Sequence, residues 1–197
     1  MREKIRNAIH YHVPLFYHIM TVFIVLFRGV GGATQLPTKP LREALTAAGF
    51  ENAATYINSG NAIVKTELSA KDTTAKIAAI AKKKFGFEKD IMLASRRDWA
   101  KLIKGNPFPD AVDQPTTLHA FVLNRKPKPE SVKALIARVT PPERVVVNGN
   151  ILYFYVPLGF SNSKLPPVID RTLGVTSTAR NWNTVLKLMA LATQAEE

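Results

Sequence analysis

Apolar and polar positions fall into short blocks with regular breaks. Residues 21–27, TVFIVLF, form a continuous apolar run of strand length, the pattern of a strand covered on both faces. RGVGGATQLPT then interrupts it as a glycine-rich loop. Helical spacing resumes over 39–48, with Pro40 suited to a first turn and Gly49 to a C-terminal stop. ATYI and AIVKT read as strands, and the NSGN between them (58–61) is a hairpin signal. Residues 73–85, rich in alanine and lysine, predict a helix whose last turn carries Lys82, Lys83 and Lys84, favourable to its dipole. DIMLAS (90–95) predicts the strand that closes this half.

A bridging helix over 97–104 leads to the rigid turn GNPFPD, after which the order begins again. TLHAFVL predicts a strand, 129–139 a helix, RVVV and ILYFYV a hairpin around NGN, 167–173 a short helix and VTST (175–178) a last strand. Residues 184–191 predict a terminal helix with Val185, Leu188, Met189 and Ala192 on one face. The sequence thus predicts an α+β protein of two tandem ferredoxin-like (βαββαβ) halves with extra bridging and C-terminal helices. The expected division is 20–96 and 97–197, a repeat of element order without evident sequence identity.

Residues 1–19 stand apart as an N-terminal extension outside the expected fold. Arg2, Lys4 and Arg6 precede an apolar run that ends at GVGGA, a pattern with the outline of a secretory signal. Pro14, Tyr17 and His18 interrupt that run, and cleavage near Ala33 would remove the best buried-strand candidate. The run is also shorter than the roughly 20 residues that a membrane-spanning helix needs. The expectation is therefore a folded domain that opens at Met20, with no membrane partner. His10, His12 and His18 read as incidental residues of the extension rather than a metal site.

Composition narrows the chemistry. The 197 residues contain no cysteine, which excludes disulfides, thiolate metal sites and cysteine nucleophiles and fits a cytoplasmic setting. Net charge is +12, and +10 without the extension, so anions are attracted non-specifically. His119 is the sole histidine after residue 19 and lies mid-strand, where a core role competes with a place in a catalytic triad. Zinc-ligand clusters and a P-loop are missing. No metal is expected, and no cofactor or catalytic residue can be named.

What remains is a polar set at element ends. Arg28 and Gly29 follow the first strand, and Ser59, Gly60 and Asn61 mark the first hairpin. Ser163 and Lys164 follow VPLGFSN, and Arg180, Asn181, Trp182, Asn183 and Thr184 precede the last helix. Arginines beside backbone N–H groups at a helix start are a natural anion site. Each feature also has a plain structural explanation. NSGN is ordinary turn composition, Asn181 or Asn183 suits a helix cap, and Trp182 suits a packing anchor.

LFRGVGG, LREALTAAGFENAATYINSGN, NPFP, LYFYVPLGFSNSKL and TARNWNTVLKL resemble blocks of the uncharacterised bacterial family called domain of unknown function 1697. The resemblance runs from about Met20 to Ala192. Two departures stand out: RGVGG is two residues shorter than the family's RGINVGG, and Asn58 stands where glutamine is usual. The resemblance implies a two-lobed α+β fold and a bacterial cytosolic setting, and marks the polar set above as motif positions. It implies no activity.

Three functions compete at this point. One is recognition of a small anionic ligand, a nucleotide or phosphate ester, gripped by Arg28, Arg180 and Lys164. Another is single-stranded nucleic-acid binding, with Tyr153, Tyr155 and Phe121 as a stacking surface; the missing RNP1 pattern disfavours it. The third is a structural or interaction module in which each motif residue is a cap, a turn or an inter-lobe clamp.

Overall fold

The computed structural model describes residues 19–31, 34–86 and 88–197; the extension's histidines and its signal-like segment lie outside them, apart from Ile19. It is an α+β architecture with two four-stranded antiparallel sheets and six α-helices among the described residues. The first half runs β1 (Thr21–Phe27), α1 (Thr38–Ala47), β2 (Glu51–Tyr56), β3 (Asn61–Thr66), α2 (Ala70–Phe85) and β4 (Ile91–Ser95). Its sheet order is β2-β3-β1-β4. After α3 (Arg96–Lys104) come β5 (Leu118–Leu123), α4 (Pro129–Ile136), β6 (Arg144–Asn148), β7 (Ile151–Tyr155), α5 (Ile169–Leu173), β8 (Ser177–Asn181) and α6 (Trp182–Gln194). This sheet repeats the order, β6-β7-β5-β8.

The continuous apolar runs become the central strands β1 and β5, because a strand with neighbours on both edges and cover on both faces has no polar side. Val22, Ile24 and Leu26 enter a core shared with β5, α3 and α6, whereas Phe23, Val25 and Phe27 pack beneath α1 and α2. On β5, Leu118, Ala120 and Val122 face the shared core, and Phe121 and Leu123 face the side covered by α5. Trp99 and Trp182, both almost fully buried, anchor α3 and α6 in the middle. The Trp99 indole donates to the Val185 carbonyl at 3.0 Å and ties the two helices together.

Local sequence explains where the helices start. Ser69 caps α2 and Ser95 caps α3, each accepting the N–H three residues on (Asp72 and Asp98) at 3.1 Å. Asn181 caps α6 by accepting the Thr184 N–H at 3.0 Å.

One boundary differs from the sequence pattern in a way that matters. The last strand is 177–181 rather than 175–178, so Arg180 lies in β8, opposite Ala120, and not in a helix-start loop. Antiparallel pairing with β5 fixes that register, and no periodicity within TSTARN announces it.

Candidate functional site

Arg180 projects from the second half onto the end of the first. Its Nε donates to Asn61 Oδ1, Nη1 to Thr178 Oγ1 and the Ala179 carbonyl at 2.7 Å, and Nη2 to the carbonyls of Phe27 (3.0 Å) and Ser59 (3.3 Å). A guanidinium has five N–H bonds, and each has an acceptor within the protein. The side chain keeps some solvent access, but its surroundings are dense, and burial lowers its pKa to about 10. It therefore stays charged at neutral pH, held by neutral oxygens.

The hairpin tip is built to receive it. Asn61, fully buried, donates Nδ2 to the Tyr56 carbonyl at 3.1 Å and to Ser59 Oγ at 3.0 Å, which turns its Oδ1 toward Arg180. Gly60 has φ +74°, and a Cβ there would stand 2.6 Å from Phe27 Cβ. Only glycine fits that approach. The close approach also lets the Gly60 carbonyl accept the Phe27 N–H at 2.8 Å.

Arg28 makes the reciprocal crossing. Its Nε donates to the Ser177 carbonyl at 3.0 Å and its Nη2 to Asp170 Oδ2 at 2.9 Å, both in the second half. Asp170 also accepts the Ser177 N–H at 3.2 Å and the Ser177 hydroxyl. Arg28 remains 43% exposed, and its Nη1 lies 3.9 Å from Asp90. The arginines thus form two opposed latches between the halves.

The other sequence candidates separate. Asn181 is the α6 cap, Trp182 is core, Thr184 is buried and Asn183 is exposed. At the N-terminus of α6, Asn181 Oδ1 holds the Thr184 N–H and the Pro115 carbonyl accepts the Trp182 N–H, so two of the N–H groups that an anion would use are already engaged. Ser163 Oγ accepts the Leu165 N–H. Lys164 lines a small groove of about 250 Å³ with Arg138, Pro141 and Leu158, which shares no residue with the surroundings of Arg28. Ser59 and Asn61 gather around Arg180 at the Gly60 turn, whereas Arg28 is held by Ser177, Asp170 and Asp90 and lines a groove that none of them enters. The expected grip of Arg28, Arg180 and Lys164 on one anion is therefore not formed, and Ser163 and Lys164 lie elsewhere.

The stacking surface is not available either. Tyr153 is buried and donates its hydroxyl to the Leu102 carbonyl at 2.7 Å; burial raises its pKa to about 12. Its cross-strand partner is Ala120, while Phe121 pairs with Leu152 and faces the opposite side of the sheet. Tyr155 lies under the Arg144 guanidinium, 4.4 Å from the ring centroid. His119 is a core residue: its ring lies 4.4 Å from that of Phe160, Nδ1 has no partner, and burial lowers its pKa to about 4.

One open concavity adjoins the latch. A groove of about 580 Å³ runs between the Arg28–Gly29 turn, α2 and the loop before β4. Its cations are Arg28, Lys82 and Lys89, and its carboxylates Glu88 and Asp90. Lys82 and Glu88 form an exposed pair at 2.5 Å, whose hydrogen bond raises the one pKa and lowers the other. Lys89 is half-buried and has no ion pair among the described residues. Its ammonium lies 3.9 Å from where a Cβ of Gly29 would stand, an ordinary contact distance, so it is the φ of +63° rather than lack of space that favours glycine there. The sequence pattern gave no signal for Lys89, a lone lysine between loop residues. No group of three or more metal-ligating side chains occurs among the described residues.

Comparison with known proteins agrees with this architecture. No functionally curated protein matches the chain. Among solved structures, the conserved bacterial protein SP0830 from Streptococcus pneumoniae is similar with a TM-score of 0.65 at 21% identity. The similarity covers 88% of this chain and 99% of that one, a likeness of fold. A family model described as "Protein of unknown function (DUF1697)" matches residues 20–153, which include Arg28 and the hairpin but not β8. By that match, the chain belongs to the DUF1697 family.

Proposed function

We propose that the protein binds a small anionic ligand, a phosphate ester, in the groove beside Arg28, with Lys89 as the principal contact. The observation that carries this reading is Lys89 itself: a cation with no ion pair among the described residues, half-buried in a concavity and beside a glycine turn. Lys82 adds charge, because an exposed pair such as Lys82–Glu88 contributes little in water and yields readily to a dianion. Arg28 contributes its Nη1, 3.9 Å from Asp90, while Asp170 holds Nη2 and the Ser177 carbonyl holds Nε. Arg180, Asn61, Ser59 and Gly60 act one step back, by fixing the end of β1 from which Arg28 and Gly29 project.

Calorimetric titration with inorganic phosphate tests this reading. Wild type should bind, and Lys89→Glu should lose binding while its thermal stability stays within a few degrees. Equal binding by both proteins would refute the role of Lys89.

A second reading, a module without a ligand of its own, draws on the internal use of all five Arg180 donors. It predicts no binding of any phosphate compound. Single-stranded nucleic acid is disfavoured by the burial of Tyr153 and Phe121. The strand orders β2-β3-β1-β4 and β6-β7-β5-β8 further support reading 20–96 and 97–197 as two ferredoxin-like halves. No described helix is long and apolar enough to cross a membrane, and a cytoplasmic location forms part of the proposal.

A further inference from the structure

We propose that the ligand of this groove is a phosphate monoester whose organic part carries hydroxyl or ring hydrogen-bonding groups, a nucleoside monophosphate or sugar phosphate. It would span both halves of the protein. The inference rests on the anion-binding reading above and extends it to the rest of the ligand.

The observation is a second hollow of about 360 Å³ that shares Ala78, Lys89 and Asp90 with the first. The two form one trough with ends of different chemistry. Near Arg28 the lining is charged. At the far end it consists of Thr74, Ile91, Met92, Asn124 and Thr176, with no charged side chain beyond the shared Lys89 and Asp90. Lys89 stands at the joint, where the phosphate would meet its ester oxygen.

Hydrogen-bonding capacity at the far end is specific. Asn124 Oδ1 is committed to the Thr176 N–H at 3.1 Å, and the Asn124 N–H donates to the Thr176 carbonyl at 2.9 Å. Neither bond uses the Asn124 amide NH2, which is left as a donor. Thr74 gives its hydroxyl proton to the Ala70 carbonyl at 2.8 Å, so its oxygen is left as an acceptor. The Thr176 hydroxyl can act in either sense. Ile91 and Met92 supply an apolar flank for a sugar or ring face. Donors and acceptors beside an apolar surface suit a polyhydroxylated or heterocyclic group, and two joined hollows of this size hold a mononucleotide-sized ligand. Thr74 and Ile91 belong to the first half and Asn124 and Thr176 to the second, so the ligand would bridge the halves that Arg28 and Arg180 latch.

The test is calorimetry on the full chain with four probes: inorganic phosphate, ribose 5-phosphate, adenosine 5′-monophosphate and adenosine. The variants are Thr176→Val and Asn124→Asp. Asn124→Asp keeps the acceptor for the Thr176 N–H and removes the donor. At least one ester should bind wild type about ten-fold or more tighter than inorganic phosphate, the effect of one or two well-placed hydrogen bonds. Both variants should shrink that ratio toward unity while Thr176→Val leaves the affinity for inorganic phosphate unchanged. Esters and inorganic phosphate binding equally to wild type would overturn this inference and leave the anion site standing. Adenosine binding as tightly as its monophosphate would overturn both, as would failure of every probe to bind.

Discussion

Replacing Arg180 with alanine removes three hydrogen bonds that join the halves, to Asn61 Oδ1 and to the carbonyls of Phe27 and Ser59. A hydrogen bond to a charged donor contributes about 1.5–3 kcal/mol. Two offsets reduce the sum. Removal of a guanidinium from dense surroundings returns part of its desolvation cost, and the partial solvent access at this position lets water reach the vacated acceptors. The net expectation is a loss of about 3 kcal/mol, or about 6–12 °C in Tm for a domain of this size. Urea denaturation followed by circular dichroism measures it, with Arg171→Ala, an exposed arginine, as the control expected within about 0.5 kcal/mol of wild type. Arg180→Lys should recover little, because an ammonium cannot reproduce a planar fork that reaches five acceptors. Asn61→Ala added to Arg180→Ala should cost less than it does alone, since the two side chains share one bond. A loss below about 1 kcal/mol for Arg180→Ala, no greater than the central tendency for any substitution, would refute the latch.

Further expectations follow from single residues. Gly60→Ala places a Cβ 2.6 Å from Phe27 Cβ at φ +74° and should destabilise by about 3 kcal/mol or more. Gly149→Ala, with φ +61° and open space around it, should cost only about 1 kcal/mol; the same denaturation curves compare them. His119 has a folded pKa of about 4, below the ordinary histidine value of 6.5. Its contribution should be complete above about pH 6.5, fall as the unfolded state takes up the proton, and level off below about pH 4. Wild type should therefore lose a few kcal/mol of stability relative to His119→Phe between pH 7 and 4, about 1.4 per unit of pKa shift, and a flat difference would contradict the assignment. Asn181→Ala should cost about 1 kcal/mol as the loss of a helix cap, whereas Asn183→Ala should leave thermal stability unchanged.

Much of the architecture was legible because the dominant signals are local. TVFIVLF reads as a strand covered on both faces and TLHAFVL as a strand, and they are the central strands of the two sheets. NSGN marks a hairpin, and Asn181 is one of the two cap candidates before the last helix. The Ser69 and Ser95 caps were missed, and α2 begins three residues before its expected start. The boundary of β8 was not legible, because pairing with β5, not periodicity, draws Ala179 to Asn181 into the sheet. That shift changed the meaning of Arg180: in a helix-start loop it would have been open to an anion, whereas in β8 it faces the tip of β2–β3. Nothing in one dimension shows that Asn61, 119 residues away, supplies its acceptor. The candidate groove was legible only through Arg28 and Gly29. Lys89 carries no motif and gains its place from the return of the chain beside β1, where the Arg28 N–H donates to the Asp90 carbonyl.

The central claim is one of location: the principal cation offered to a ligand is Lys89, in the groove beside Arg28, and Arg180 is consumed within the protein. A crystal soaked in selenate or tungstate measures this directly through anomalous density. The account predicts an ion within hydrogen-bonding reach of Lys89 Nζ and the Arg28–Gly29 turn, with all Arg180 contacts intact. An ion seated on the Arg180 guanidinium with Asn61 displaced, or no ion in the groove at saturating concentration, would contradict it.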